Sequence, residues 1–538
     1  MSEALEAKNP NAVSLARNPL LYLALSLVGG LILRLWGLTW GLPTGLHPDE
    51  YVVVNGALDL LNRNSWIPIY YFRPDHVEIY LSRMLYDAYA HLVFGTGPLV
   101  NADAHSGLFI LLSRSVTVVF GVATIWFGYL IGKRFGSLAS ILLPALIAFN
   151  PLLIENSHFA TPDVPLTAMT TLAMYFGLRY LESPKLLWLG LGGAASAVAM
   201  GIKYPGIMAN GVAAAVIIYV AVKSKRWARA SWHAAAAFAS FVGGLLVAAP
   251  AIFINYQEAL NNLFAQGAGS NDTGSGLGFW DTLGFYFSSF AASTGSITTA
   301  LALIGIWFAV RTKSPARIPI IFTILYMVIL SVIPLHWVRW ELPLIPGMLL
   351  AATIAVSEFS KRISANDRNL LKGSLPRQVL AVLAAANVLL IAVTNDAILT
   401  APDTRLTSDA KVAAAGATAD NTIFEGYTTF SPKGPGTVFD AFNNFATKPV
   451  AKDATKKFLL LSGCVDGTYL GSDRFPQQAG FYAAIAKNYK LIFDYPKTVK
   501  TPADNWFEPV NILGQIQGLQ SVPNGVAGCD LKLYALTS

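Results

Sequence analysis

The sequence predicts a polytopic α-helical membrane protein with a small α/β domain at its C-terminal end. Three observations support this prediction: the composition, a series of long apolar segments, and a change of composition near residue 396. Of the 538 residues, 54% are hydrophobic and only 13% are charged, and the mean hydropathy is +0.49. Soluble domains usually carry about 25% charged residues, so the composition excludes a single water-soluble core. The net charge of +7 does not indicate a nucleic-acid partner, because Lys and Arg collect on the cytoplasmic loops of membrane proteins.

Apolar segments that approach the roughly 20 residues needed to cross a membrane are frequent before residue 396. We predict about eleven transmembrane helices: 19–38, 108–131, 137–154, 164–181, 186–201, 206–222, 234–254, 294–310, 318–335, 342–359 and 378–394. Alternate connections are rich in Lys and Arg, and the positive-inside rule places these in the cytoplasm. The predicted parts are a cytoplasmic N-terminus (1–18), a transmembrane domain (19–396) whose long first outer loop (40–107) carries interfacial helices, and an extracytoplasmic domain (397–538).

The C-terminal part is more polar and contains short apolar runs. "KKFLLLSG", "KLIFDYP" and "LKLYALTS" predict buried strands, and "PQQAGFYAAIAKN" predicts a helix that begins at Pro476. Cys464 and Cys529 lie near predicted strand ends. In an oxidising compartment this position favours a disulfide, with two unpaired thiols as the alternative.

Acidic residues stand at two predicted outer edges of the membrane. "GLHPDEYVVV" places Asp49 and Glu50 where the chain leaves the first span, and "ENSHFATPDVPL" places Asp163 at the start of another. Helix capping explains each acid taken alone. Carboxylates that share one membrane face favour a functional site, because ionisable groups at membrane depth are costly. Adjacent helical residues point in different directions, so Asp49 and Glu50 are expected to contact different partners.

Basic residues lie on the same predicted face. Arg73 is in the first loop, and Lys203 and Arg339 are at the outer ends of spans. One such residue alone is explained by a side chain that extends to the lipid headgroups. Several together, on the side that is poor in Lys and Arg, favour a bound phosphate such as that of a lipid-linked ligand.

Four segments together resemble the GT-C glycosyltransferases, specifically the bacterial relatives of protein O-mannosyltransferases and of the lipid A aminoarabinose transferase (family 39-like). They are "GLPTGLHPDEYVVVNGALDLL", "NSHFATPDVPLTAMTTLAMYFGLRYL", "AMGIKYPG" and "VRWELPLIPGMLLAA". The resemblance implies a GT-C fold and inverting transfer of a sugar from a polyprenyl-phosphate donor to an acceptor hydroxyl on the extracytoplasmic face.

The resemblance also implies roles for residues. Asp49 matches the catalytic base of the family, and Glu50 matches the acidic neighbour that helps to position substrates. Arg73, before a proline, matches a residue that contacts the donor phosphate. The sequence departs from the family pattern just after it, where Asp75, His76 and Glu78 follow. The other predicted substrate-binding residues are Asp163, Lys203, Tyr204, Arg339, His47, His76 and His158.

Partners and alternatives complete the prediction. We expect a lipid-linked sugar donor, a glycan, lipid or protein acceptor, and membrane lipids around a multi-pass protein of the bacterial plasma membrane. No metal-ligand spacing is diagnostic, and a divalent ion near Asp49 is left open. A transporter or flippase of a lipid-linked sugar is the alternative function, although transporters place their polar groups nearer the bilayer midplane. A non-enzymatic polymer-binding scaffold is a third, which the acids beside the membrane disfavour.

Overall fold

Helices form most of the described part of the molecule. The structure is a computed structural model that describes residues 18–69, 71, 73–95, 106–267, 278–333, 336–366, 375–428, 441–445, 455–470, 475–500 and 512–536. The helices before residue 401 are α1 Pro19–Leu35, α2 Glu50–Asn62, α3 His76–Phe94, α4 Ser106–Gly132, α5 Ser137–Ala148, α6 Pro151–Ser157, α7 Asp163–Glu182, α8 Leu186–Ile202, α9 Asn210–Ser224, α10 Trp227–Ala248, α11 Ala251–Ile254, α12 Tyr256–Gly267, α13 Phe279–Thr294, α14 Ser296–Arg311, α15 Arg317–Val332, α16 Ile345–Asn366 and α17 Leu375–Thr400. Short 3₁₀ helices cover Lys133–Phe135, Tyr204–Ala209 and Val338–Leu344.

Several of these helices are long and apolar enough to cross a membrane. Among the described residues there are five, and the bent pair α5–α6 makes six if it forms one broken span. The five are Gly107–Phe135, Tyr204–Ser224, Trp227–Ala248, Val338–Phe359 and Val382–Thr400. Helices α1, α8, α14 and α15 are apolar but shorter. The predicted helical membrane fold is therefore confirmed. Each predicted span overlaps a helix, and the number of crossings stays a prediction.

Local chemistry explains the bend between α5 and α6. Pro151 cannot continue the hydrogen bonding of α5, and the residue before a proline avoids the helical region. Asn150 is accordingly extended, and its side chain accepts a hydrogen bond from the Leu153 amide to cap α6. The two helix axes differ by 49°. The turn after α6 then leads directly to Asp163 at the start of α7.

The core of the membrane domain is formed by apolar residues of α5, α7 and α13–α16. Helices α14 and α16 approach each other at Gly305, where an added Cβ would lie only 1.7 Å from the carbonyl oxygen of Ala351. Glycine is required there because any side chain would separate the two helices. The 3₁₀ helix that carries Arg339 leads directly into the start of α16.

The C-terminal domain is a small sheet flanked by helices. Its elements are α18 Thr404–Thr407, α19 Asp409–Ala414, β1 Thr422–Phe424, α20 Ala441–Phe445, β2 Phe458–Ser462, α21 Gly463–Tyr469, α22 Pro476–Asn488, β3 Lys490–Tyr495, α23 Ile512–Ser521, a 3₁₀ helix Val522–Asn524 and β4 Leu531–Ala535. The strand order is β1–β2–β4–β3, with β1 and β2 parallel and the other pairs antiparallel. Alternate residues of β2 enter different apolar clusters, as strand geometry requires: Leu459 and Leu461 on one face, Leu460 on the other.

Most of the C-terminal predictions are confirmed. β2, β3, β4 and α22 form where the sequence predicts them, and α22 has Pro476 at its start. The prediction that all three strands are buried is wrong for β3, an edge strand whose side chains are exposed or half-buried. Cys464 and Cys529 form a disulfide between the start of α21 and the approach to β4. β1 was not predicted, because a strand of three residues is too short to show periodicity.

Candidate active site

The loop that follows α1 carries Asp49 into the molecule. Two glycines shape it: Gly41 and Gly45 both have φ +69°, a conformation that other residues rarely adopt. An added Cβ would lie 2.6 Å from Leu46 Cγ at the first glycine and 2.8 Å from Ile110 Cδ1 at the second. The loop therefore folds tightly against α4. It ends at Asp49, which stands one residue before α2.

Glu50 has a structural partner inside the membrane domain. Its two carboxylate oxygens accept hydrogen bonds of 2.7 and 2.8 Å from Arg114 of α4, and both side chains are buried. Oε1 also accepts the backbone amide of Ala160 at 3.0 Å. Arg114 further donates to the carbonyl oxygens of Leu38 and Trp40. Glu50 thus holds the loop against α4 and the turn before α7.

Asp49 turns the other way, toward two arginines. Its Oδ2 lies 3.0 Å from Nη1 of Arg73 and 2.7 Å from Nη2 of Arg339. The side chain makes no capping hydrogen bond to α2, so charge pairing, rather than helix capping, fixes its position. Asp49 and Arg339 each keep about a quarter of the side chain exposed, at 24%. The pair is therefore partly open to solvent.

Asp163 and Lys203 extend the same cluster. Lys203 Nζ donates to Asp163 Oδ1 at 2.7 Å, and both side chains are buried. Arg339 Nε lies 3.7 Å from the other oxygen of Asp163, so Arg339 stands between the carboxylates at 49 and 163. Lys203 also lies over the ring of Trp340, 5.5 Å from its centroid. The predicted second acidic site is thus joined to the first through one guanidinium.

Two acidic residues that follow Pro74, Asp75 and Glu78, lie beside these charged side chains. Arg73 Nε pairs with Asp75 at 2.8 Å, and the Asp75 amide donates to the carbonyl oxygen of Ile202, next to Lys203. Asp75 and Glu78 are both buried. We call the whole group the charge cluster: Asp49, Arg73, Asp75, Glu78, Asp163, Lys203 and Arg339.

Burial and charge act in opposite directions on these carboxyl groups. Burial raises the pKa of Asp49, but Arg73 and Arg339 outweigh it and hold that pKa below its usual range. Burial raises the pKa of Asp75 despite the neighbouring Arg73. Burial and Asp75 raise the pKa of Glu78 well above its usual value. Three cations, those of Arg73, Lys203 and Arg339, pair with carboxylates of this cluster.

The three predicted histidines are in contact with neighbouring protein groups. Burial lowers the pKa of His47 to about 4, its Nδ1 accepts the Asp49 amide at 3.3 Å, and its ring stacks on Phe159. His76 is buried at the start of α3 beside two tyrosine rings. Both ring nitrogens of His158 lie at backbone carbonyl oxygens, of Ile154 and of Trp36.

Tyr204 joins two segments beside the cluster. Its hydroxyl lies 2.8 Å from the Tyr71 carbonyl oxygen and 3.2 Å from that of Ala259 in α12.

No group of metal ligands is found: within the residues that the structure describes, no three His, Cys, Asp or Glu side chains are grouped to hold a metal ion.

The sequence analysis did not predict two residues that contact the loop before Asp49, Arg114 and Arg405. Arg114 lies within a predicted span, where an unexplained charge is itself a signal. Arg405 belongs to the C-terminal domain, yet its Nη1 donates to the carbonyl oxygen of Leu46, three residues before Asp49. No sequence signal connects residues so far apart in the chain.

A comparison with protein-family models finds a match for one segment of the membrane domain. Residues 107–254 match the family model of the dolichyl-phosphate-mannose-protein mannosyltransferases. This part of the chain is similar to a glycosyltransferase family. The predicted resemblance is confirmed there. The glycosyltransferase-like region contains Arg114, Asp163 and Lys203, while Asp49, Arg73 and Arg339 lie outside it.

Comparisons with individual proteins give the following results. No curated protein matches the chain. Among solved structures, ArnT from Cupriavidus metallidurans is similar at 15% identity and a TM-score of 0.48, both bound to undecaprenyl phosphate and in the apo state. The match covers 96% of this chain and 98% or 97% of the two ArnT chains.

Proposed function

We propose that the protein is an inverting membrane glycosyltransferase. It moves a sugar from a polyprenyl-phosphate donor to an acceptor hydroxyl on the extracytoplasmic face, with Asp49 as general base. The observation that carries this proposal is the contact of the Asp49 carboxylate with Arg73 and Arg339 at 3.0 and 2.7 Å. The proposed base is therefore in direct contact with the two cations proposed to bind the phosphate. The family match over residues 107–254 supports the same class of reaction.

The donor phosphate binds at Arg339 and Arg73. Guanidinium groups bind phosphate through two parallel hydrogen bonds, and Arg339 is the more accessible of the pair. Its Nη2 is on Asp49 and its Nε faces Asp163, so phosphate oxygens compete with both carboxylates. Binding therefore exchanges a carboxylate for a phosphate at Arg339, and Asp163 retains Lys203 as its partner.

This exchange activates the base. While both arginines hold Asp49, its pKa lies below the usual range and the carboxylate is a weak proton acceptor. The charge of a bound phosphate neutralises the arginines, so the pKa of Asp49 rises toward its ordinary value. Proton transfer to Asp49 thus becomes more favourable once the donor is in place. Donor binding before acceptor deprotonation is the order that this geometry supports.

The reaction is a single displacement. Asp49 takes the acceptor proton as the acceptor oxygen forms a bond to the anomeric carbon of the sugar. The bond from that carbon to the phosphate oxygen breaks, and the electron pair leaves with the polyprenyl phosphate. Arg339 and Arg73 stabilise the additional negative charge on that leaving group. One displacement inverts the anomeric configuration, and a phosphate leaving group requires no general acid.

The test follows the release of sugar from lipid. Purified protein in detergent is incubated with a panel of radiolabelled polyprenyl-phosphate sugars, beside Asp49→Asn and the control Arg63→Ala, whose exposed ion pair with Asp59 lies at the far end of α2. We expect release by wild type and by the control, with a loss of at least about 100-fold in Asp49→Asn, since general-base catalysis contributes 10²–10⁴-fold. Equal release by Asp49→Asn would overturn the role of Asp49. Transport of the lipid-linked sugar across vesicles without release would establish the transporter alternative.

A further inference from the structure

The C-terminal domain contacts the loop that ends at Asp49 through a buried arginine. Arg405, at the start of that domain, donates from Nη1 to the carbonyl oxygen of Leu46 at 3.3 Å. Its guanidinium also lies over the ring of Trp40, 5.3 Å from the centroid. Both contacts fall on the loop that ends at Asp49. Arg405 is itself buried, with 6% exposure, so these contacts are formed away from water.

The guanidinium is held rigidly by its own domain. Nε and Nη2 of Arg405 make two hydrogen bonds of 2.8 Å to the carboxylate of Asp403, which also accepts the Arg405 amide. Thr404, between them, bonds both the amide and the carbonyl of Cys529 through its hydroxyl. Cys529 is in turn fixed by the disulfide to Cys464. The anchor of the loop is therefore continuous with the folded sheet of the C-terminal domain.

The membrane domain also holds this loop. Arg114 donates to the carbonyl oxygens of Leu38 and Trp40, and His158 contacts that of Trp36. These contacts fix the first half of the loop. The Arg405 contact at Leu46 falls in the second half, three residues before Asp49. Tyr427, also in the C-terminal domain, interacts electrostatically with Asp49 and Arg339, which places this domain beside the charge cluster.

We propose that Arg405 is a positioning residue for the transfer reaction: by holding the Leu46 carbonyl, the C-terminal domain fixes the direction in which Asp49 faces the acceptor. The contacts of Arg405 are with Asp403, Leu46 and Trp40, outside the charge cluster, so we expect it to act on proton transfer and not on donor binding. The inference rests on the proposed role of Asp49. It gives the C-terminal domain a part in catalysis in addition to any part in acceptor recognition.

The experiment compares Arg405→Ala and Arg405→Lys with wild type and with Arg63→Ala in the full-length protein. Three quantities are measured: the turnover number with the donor that wild type cleaves in the panel, the dissociation constant of undecaprenyl phosphate, and backbone hydrogen exchange over residues 41–52. The amides of Gly45 and Glu50 report on the loop, since both are hydrogen-bonded within it. The lysine variant keeps a cation that can reach Leu46 while losing the paired bonds to Asp403.

The expected result is a kinetic split. Arg405→Ala lowers turnover by about 10- to 100-fold, leaves undecaprenyl phosphate binding within twofold of wild type, and accelerates exchange over residues 41–52. Arg405→Lys recovers part of the turnover, and Arg63→Ala matches wild type. If Arg405→Ala does not fold, the same measurements on Arg405→Lys and on Arg405→Gln decide the question.

Other outcomes overturn the proposal. Wild-type turnover in Arg405→Ala would remove the positioning role, and so would unchanged exchange over residues 41–52. Faster exchange throughout the C-terminal domain, together with weaker undecaprenyl phosphate binding, would show that Arg405 only stabilises the fold. If wild type releases no sugar from any donor, the proposed function fails. The exchange measurement still shows whether Arg405 holds the loop, and an unchanged loop would then overturn this inference separately.

Discussion

At the scale of single residues, Arg339 links the two acidic sites of the candidate site. It contacts Asp49 and faces Asp163, while Lys203 and Arg73 each pair with one of those acids. Removal of Arg339 leaves Asp49 with Arg73 alone. Under the proposed function two separate effects follow, one on binding of the donor phosphate and one on the pKa of Asp49, and they can be measured independently.

Arg339→Ala is expected to weaken undecaprenyl phosphate binding by about 10- to 100-fold, because a charge-assisted hydrogen bond contributes roughly 1.5–3 kcal/mol. It should also shift the acidic limb of the pH–rate profile to higher pH. Arg339 lowers the pKa of Asp49, so without Arg339 the carboxylate becomes protonated at a higher pH and activity is lost earlier on acidification. Arg339→Lys keeps the charge and should show a smaller shift. Unchanged phosphate affinity in Arg339→Ala would refute the donor-binding assignment.

At the scale of secondary-structure elements, the buried Glu50–Arg114 pair connects the start of α2 to α4. The sequence places Asp49 and Glu50 at a helix start and predicts different partners for them, because neighbouring helical residues diverge. It cannot identify Arg114 as the partner, because the pairing of α2 with α4 depends on the tight turn at Gly41 and Gly45. Tertiary contact, and not local pattern, decides that pair.

We predict that Glu50→Gln destabilises the protein by about 3–5 kcal/mol, since removal of one member of a buried ion pair leaves the other charge uncompensated. Thermal unfolding in detergent measures the effect. The matched control is Asp59→Asn on the same helix, whose exposed pair with Arg63 is worth less than about 1 kcal/mol. Equal melting temperatures for the two variants would show that the Glu50–Arg114 pair does not stabilise the junction of α2 and α4.

At the scale of the whole molecule, the sequence predicts the membrane helices and the C-terminal domain, but it does not predict the contact between them. Apolar spans and the strands of the C-terminal part have strong local patterns, and both are found. The bond from Arg405 to Leu46 joins residues 359 positions apart, and it depends on how one folded unit rests on another. Local propensity carries no information about such a contact. The same limit applies to Glu425, whose partners come from three separate segments.

The ionisation of Glu425 is predicted to make the stability of the C-terminal domain depend on pH. It is buried beyond β1 and accepts hydrogen bonds from the amides of Ser462 and Ala441 and from the Tyr482 hydroxyl. Burial outweighs these bonds and raises its pKa to about 7, from an ordinary value of 4.5. Below pH 4.5 the group is protonated in the folded and unfolded states alike. As the pH rises from 4.5 to 7, the unfolded state releases its proton first, so the domain loses roughly 3 kcal/mol of stability across this interval.

Hydrogen exchange measures this pH dependence in the full-length protein. Protection factors of the β1 and β2 amides, corrected for intrinsic exchange rates, should fall between pH 4.5 and 7 and then level off. Glu425→Gln cannot ionise and retains one acceptor oxygen, so its protection should change much less over the same interval. An equal fall in wild type and Glu425→Gln would mean that another group titrates. Because Tyr427 lies two residues from Glu425 and interacts with Asp49, the loss of stability between pH 4.5 and 7 should also loosen the part of the domain that lies beside the charge cluster.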